Sequence, residues 1–177
     1  ALMVAASGGH NILMIGSPGA GKTMLAQAFI SLLPPLTLEE SISVTQIYSA
    51  AGLLENKSFI KQRPFRSPHH TASPVAIVGG GQNPRPGEVS LAHSGVLFLD
   101  EMPEFRRDLL ESLRQPLESG VIHVARIKNT LTYPSRFSLV AAMNPCPCGY
   151  HGDKEKECRC GAHEVLRYQK KVSGPLL

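Results

Sequence analysis

The apolar and polar positions divide the chain into strand-length runs and helix-length stripes. "NILMIG" (Asn11–Gly16), "VLFLDE" (Val96–Glu101) and "RFSLVAAMN" (Arg136–Asn144) are short apolar runs, the pattern of strands covered on both faces. Between them lie stretches of helical period. "ALMVAASGG" looks like a helix stopped by glycines. "KTMLAQAFISLLPP" predicts a helix with Met24, Leu25, Ala28, Phe29, Leu32 and Leu33 on one buried face, ended by Pro34–Pro35. "TLEESISVTQIYSAAGLL" (Thr37–Leu54) predicts another, opened by a capping box of Thr37 and Glu40. "PEFRRDLLESLRQPLESG" predicts a single amphipathic helix with Phe105, Leu109, Leu110, Leu113 and Leu117 inward. "RPFRSPHHTAS" is extended, because its prolines oppose helix. "VAIVGGGQNPRPGEVSLAHSG" is a helix interrupted by a Gly/Pro excursion at Gly79–Pro86, and the segment Val121–Tyr133 is a hairpin turning at Lys128–Asn129. Strands alternating with helices predict an α/β domain with a mainly parallel sheet flanked by helices.

Composition narrows this picture modestly. A chain of 177 residues with 42% hydrophobic and 18% charged content suits one domain with a real core. The net charge of +4 permits a nucleic-acid partner without requiring one. No apolar run is long enough to cross a bilayer, and the N-terminus lacks a signal-peptide pattern, so no membrane role and a cytoplasmic location are expected. The chain starts at Ala1 and stops at "SGPLL", which reads as a domain taken from a longer protein.

Chemistry enters at the ends of the three apolar runs. "GSPGAGKT" (Gly16–Thr23) is a complete G-x-x-x-x-G-K-[ST] motif between a strand and a helix. Its expected phosphate cradle is Gly16, Ser17, Pro18, Gly19, Ala20, Gly21, Lys22, Thr23 and Met24. Backbone amides and the helix N-terminus would face the phosphates, Lys22 would reach the β- and γ-phosphates, and Thr23 would offer its hydroxyl to Mg²⁺. Asp100 leaves the second run where open α/β sheets bind ligands and can hold the Mg²⁺ water shell. Glu101 can orient or deprotonate an attacking water, and Asn144 can touch the γ-phosphate and that water.

All four cysteines fall in "NPCPCGYHGDKEKECRCG". Cys146, Cys148, Cys158 and Cys160 form C-x-C-x9-C-x-C, a four-thiolate set suited to structural Zn²⁺. The spacing is tighter than the usual C-x2-C, His151 and His163 are substitute ligands, and four reduced thiols in a polar loop remain the competing reading. His69 and His70 are neighbours on an extended segment, so their rings should point to opposite faces and chelate poorly. A structural or subunit-interface role is expected of them.

The phosphate loop, "GVLFLDE" and the strand ending at Asn144, in this order, resemble the AAA+ branch of P-loop NTPases. The wording of "GGHNILMIGSPGAGKTMLA", "RPFRSPHHTAS", "GEVSLAHSGVLFLDE" and "AAMNPCPCGY" is similar to the magnesium-chelatase-like ATPases, and within them to the ComM (YifB) family, over nearly the whole chain. The resemblance implies that residues 1–177 are part of an AAA+ ATPase domain, with the last sheet strand, the helical lid and a trans-acting arginine lying beyond Leu177. It places a Lon-protease-like domain before it. It implies ATP and Mg²⁺ as cofactors, a hexameric ring, and DNA branch migration during natural transformation. The excursion at Gly79–Pro86 and the hairpin match loops that face the ring pore in this branch, which would make Arg126 and Lys128 DNA contacts. The isolated chain is expected to hydrolyse ATP slowly, since the trans arginine is worth several orders of magnitude in rate where it operates. Two other functions compete: the ATPase subunit of a metal-insertion complex, and a nucleotide-dependent assembly module that does not act on DNA.

Overall fold

The computed structural model describes residues 1–54, 59–80, 84–125 and 130–172. In chain order the elements are α1 (Leu2–Gly8), β1 (Ile12–Ile15), α2 (Lys22–Leu32), α3 (Leu38–Ala51), β2 (Phe65–Arg66), α4 (Pro74–Val78), β3 (Gly79–Gly80), β4 (Arg85–Pro86), α5 (Glu88–Leu91) and β5 (Val96–Leu99). A 3-10 turn at Met102–Glu104 leads into α6 (Arg107–Ser112), α7 (Arg114–Ser119), β6 (Val121–Ala125), β7 (Thr130–Pro134), β8 (Ser138–Met143) and α8 (Ala162–Gln169).

The three apolar runs become β1, β5 and β8 of one sheet, whose order is β1-β8-β5-β2 with every pairing parallel. The alternating side-chain direction of a strand then fills two cores. Val96, Phe98, Val140 and Ala142 point to one face and meet Ala5, Ala26 and Phe29 of α1 and α2. Leu97, Leu99, Leu139, Ala141 and Met143 point to the other and meet Ile77, Val89, Leu109 and Leu113. Because β5 and β8 are covered on both faces, their sequences show no polar alternation. The pairing Ile15↔Met143 and the neighbouring Leu99↔Ala141 bring three strand ends to one edge of the sheet. The loops beginning at Gly16, Asp100 and Asn144 therefore start side by side.

Several local expectations hold. Gly9 stops α1 in the left-handed conformation, with φ 63°. Thr37 accepts from the Glu40 amide at 3.2 Å while the Glu40 carboxylate accepts from the Thr37 amide at 2.9 Å, closing the capping box. The Gly/Pro excursion does split a helix, into α4 and α5, with β3 and β4 pairing antiparallel between them. The excursion packs against the hairpin: a Cβ on Gly79 (φ 97°) would stand 2.7 Å from the Arg85 carbonyl oxygen and 3.2 Å from a Val124 methyl. The hairpin is a five-pair ladder from Val121↔Pro134 to Ala125↔Thr130. Its expected tip, with Arg126 and Lys128, lies outside the described residues.

Two expectations fail for physical reasons. The predicted face of α2 is largely turned to solvent: Met24 is 75%, Leu25 45% and Leu32 43% exposed, whereas Ala26 and Phe29 are fully buried. This helix is apolar around most of its circumference, so periodicity does not select the side that meets β8. The expected single helix after Glu101 is also broken, into α6 and α7 at Leu113. Pro116 has no N–H for the Ser112 carbonyl, and its ring crowds the turn before it. Phe105, Leu109, Leu110 and Leu113 are nonetheless buried as expected.

Candidate functional site

The loop between β1 and α2 wraps back on itself. Gly19 and Gly21 take φ 81° and 78°, conformations that resist a side chain, and the Gly16 amide donates to the Met143 carbonyl of β8 at 3.3 Å. Gly16, Ser17, Pro18, Gly19, Ala20 and Gly21 thus form a cradle at the N-terminus of an eleven-residue helix, whose first amides have no intrahelical partner. Lys22, Thr23 and Met24 open that helix. The Lys22 ammonium spans the cradle, donating to the carbonyls of Gly16 at 2.7 Å and Ser17 at 3.0 Å and to Asn144 Oδ1 at 3.1 Å. Burial draws the Lys22 pKa below its ordinary value, and the carboxylates of Asp100 and Glu101 oppose that shift.

Asp100 divides its carboxylate between two neighbours. Oδ2 accepts from the Thr23 hydroxyl at 2.9 Å, and Oδ1 accepts from the Glu101 amide at 2.9 Å. A hydroxyl and a carboxylate side by side are the hard oxygen donors that Mg²⁺ takes alongside phosphate and water. Glu101 has φ 51° and ψ 43°, a left-handed conformation costing about 1–3 kcal/mol in a non-glycine residue. Its carboxylate is 57% exposed, and Oε2 lies 3.5 Å from His70 Nδ1. His70 was not expected here. Residues His69–Ala72 form a turn, closed by the Ala72 amide on the His69 carbonyl at 2.9 Å, and not an extended segment. The two imidazoles therefore lie on the same side, with ring centroids 4.1 Å apart, in place of the opposite faces expected. Glu101 and Asn144 also line an open groove of ≈ 490 Å³ whose far wall is Arg167 and Tyr168 of α8 and Lys171 just beyond it.

The segment after Asn144 gathers the four thiols. All four sulfurs lie within 4.8 Å of one another. Cys146 Sγ is 3.4 Å from Cys148 Sγ and 3.7 Å from Cys158 Sγ, and Cys148 Sγ is 3.6 Å from Cys158 Sγ. Zinc–sulfur bonds of about 2.3 Å in a tetrahedron require sulfur–sulfur edges of about 3.8 Å, so the set fits this ion without His151 or His163. The amides of Tyr150 and Arg159 lower the Cys148 thiol to about 6. The Cys148 amide, 3.4 Å from Cys160 Sγ, favours a thiolate there too, but burial and the neighbouring sulfurs push Cys160 up to about 12. A cation among the sulfurs would favour all four as thiolates.

This loop also leans on the cradle. Gly149 (φ 88°) packs so closely on Pro18 that a Cβ would stand 2.7 Å from Pro18 Cδ. Asp153 accepts from the amides of Glu155 at 2.9 Å and Lys156 at 3.1 Å. Its pKa is held below the usual carboxylate range by the Glu155 amide and then by the Ser17 hydroxyl. Gly149 carried no signal in the sequence, because its partner, Pro18, is far away along the chain. No described helix is long and apolar enough to cross a membrane.

Three kinds of comparison bear on this arrangement. The family model described as "Magnesium chelatase, subunit ChlI" matches residues 1–177. Among curated relatives, the chain is 53% identical over 176 residues to "Uncharacterized protein YifB" of Escherichia coli, covering 99% of this chain and 34% of the relative. It is 50% identical over 177 residues to "Competence protein ComM" of Haemophilus influenzae, covering 100% of this chain and 34% of the relative. It is 31% identical over 137 residues to "DNA replication licensing factor mcm-5" of Caenorhabditis elegans, covering 77% of this chain and 15% of the relative. The chain thus spans about a third of the length of the bacterial relatives it matches. Among solved structures, NtrX from Brucella abortus in complex with ADP superposes with a TM-score of 0.54 at 18% identity, over 80% of this chain and 27% of that one. The fold is that of the AAA+ ATPases, and the chain belongs to the magnesium chelatase ChlI family.

Proposed function

We propose that this member of the magnesium chelatase family binds and hydrolyses Mg·ATP as the motor module of a hexameric, DNA-remodelling helicase of the ComM type, acting in branch migration during natural transformation and recombination. The observation that carries the nucleotide reading is the convergence of Lys22, the Thr23–Asp100 pair, Glu101 and Asn144 at adjacent ends of β1, β5 and β8. Motifs far apart in sequence meet within hydrogen-bond reach, in the spatial order that phosphoryl transfer needs.

On this reading the cradle from Gly16 to Met24 holds the phosphate chain through its amides. Lys22 exchanges its carbonyl partners for β- and γ-phosphate oxygens. Thr23 and Asp100 would hold Mg²⁺, which would supply positive charge against the phosphates. Glu101 orients a water and accepts its proton as the water oxygen bonds to the γ-phosphorus and the bond to the β–γ bridging oxygen breaks, releasing ADP. Asn144, hydrogen-bonded to Lys22, stands where it can position both the γ-phosphate and that water. Cys146, Cys148, Cys158 and Cys160 would hold a structural Zn²⁺, which would order the loop after Asn144.

The DNA reading is supported by the similarity to proteins named for competence and for DNA replication licensing, and by the net charge of +4. Arg126 and Lys128, at the expected hairpin tip, are its proposed contacts. The family model itself supports a second reading, the ATPase subunit of a metal-insertion complex. ATP turnover of the full-length protein, measured with and without single-stranded and branched DNA, separates the two. Stimulation by branched DNA supports the helicase reading. Turnover without DNA binding or stimulation contradicts it.

A further inference from the structure

The cysteine loop and the phosphate cradle leave neighbouring parallel strands and then touch again. Two contacts join them. Asn144, which begins the loop, accepts from Lys22 at 3.1 Å. Gly149, next to the thiol of Cys148, sits against the ring of Pro18, leaving no room for a Cβ. Pro18 is the cradle residue that precedes its left-handed Gly19.

The loop that makes these contacts has little regular structure to hold it. Between Met143 and Ala162 no helix or strand is formed. What shapes it is the thiol cluster together with single turns such as the Gly149 amide on the Cys146 carbonyl at 3.0 Å. Cys146 is fully buried, so the cluster is anchored on the body of the domain. Ligation of Cys146 and Cys148 fixes the turn carrying Gly149. Ligation of Cys158 and Cys160 closes the far end of the loop.

We propose that the cysteine loop is a wall of the nucleotide site, with Gly149 as the positioning residue for Pro18, so that metal bound by the four thiolates sets the affinity of the cradle for a nucleoside triphosphate. The proposal rests on the nucleotide and zinc readings above. It adds that the two are energetically coupled: a metal that orders the wall prepays part of the cost of ordering the cradle, and phosphate binding favours the metal-ordered wall in return.

The test measures three quantities on the full-length protein: zinc per chain by atomic absorption, the Kd for a fluorescent ATP analogue with Mg²⁺, and the KM and kcat of ATP hydrolysis. Gly149→Ala puts a methyl against Pro18 and leaves every thiol in place. It should keep its zinc and raise Kd and KM about three- to tenfold. Cys158→Ser should lose zinc and weaken the analogue at least as much. Unchanged Kd in Gly149→Ala together with unchanged Kd in zinc-free protein overturns the coupling. If Cys158→Ser does not fold, wild-type protein stripped of zinc by a chelator and then reloaded decides: Kd must rise on stripping and recover on reloading. Wild-type protein without bound zinc overturns the metal arm of the proposal. Wild-type protein that binds no nucleotide contradicts the functional reading itself, a distinguishable result.

Discussion

Two loops leave adjacent parallel strands at the same level of the sheet, and they are built by opposite means. The loop after β1 is short, and its form comes from the backbone: left-handed glycines at 19 and 21 and a helix start. The loop after β8 is long, and its form comes from side chains, four sulfurs drawn within 4.8 Å. The first is suited to bind hard phosphate oxygens through amides and an ammonium, the second to bind a soft metal through thiolates. On the proposed reading, one end of the sheet carries an exchangeable ligand beside a permanent one, and the permanent one serves as scaffolding for the other.

The comparison can be broken most sharply at Glu101. Glu101→Gln should lower kcat by about 10²–10⁴-fold while the Kd for Mg·ATP and the zinc content stay near wild type, measured by phosphate release and atomic absorption. A variant with undiminished turnover would remove Glu101 from the reaction. Next is the permanent ligand. Cys158→Ser should leave the protein without stoichiometric zinc, and protease should then cut within 145–161 before it cuts elsewhere, as read by mass spectrometry of timed digests. Equal cleavage in both proteins would show a loop that does not need its metal. A smaller effect is expected in the cradle. Gly21→Ala places a Cβ on a left-handed residue and should cost about 1–2 kcal/mol, seen as a lower urea midpoint and weaker nucleotide binding with zinc unchanged. The smallest effect belongs to the residue shared by both loops. Asn144→Ala removes one hydrogen bond to Lys22 and should weaken nucleotide binding only about three- to tenfold.

The same contrast explains what could be read from the sequence. The cradle was legible because its requirements are local: an apolar strand run, glycines at fixed offsets, and Lys-Thr opening a helix. Asp100 and Asn144 were legible as polar residues ending buried strands, and the capping box of Thr37 and Glu40 as a spacing of three. What failed depended on tertiary choice. The period of α2 could not tell which apolar side would meet β8, so Met24, Leu25 and Leu32 were misplaced. Pro116 was visible, yet the amphipathic pattern around it concealed the break at Leu113. The turn at His69–Ala72 brought His70 to Glu101 against the expectation for an extended segment. Gly149 meets Pro18 only because β1 and β8 are neighbours, a fact of sheet order that no short motif records.

The central claim is that Lys22 and its cradle bind Mg·nucleotide. Titration of the full-length protein with a fluorescent ATP analogue, in Mg²⁺, for wild type and Lys22→Ala tests it most directly. Saturable binding by wild type, weakened at least about 100-fold in Lys22→Ala while zinc content and thermal midpoint stay unchanged, is the predicted result. Absence of saturable binding in folded wild-type protein, or equal affinity in the two proteins, would contradict it.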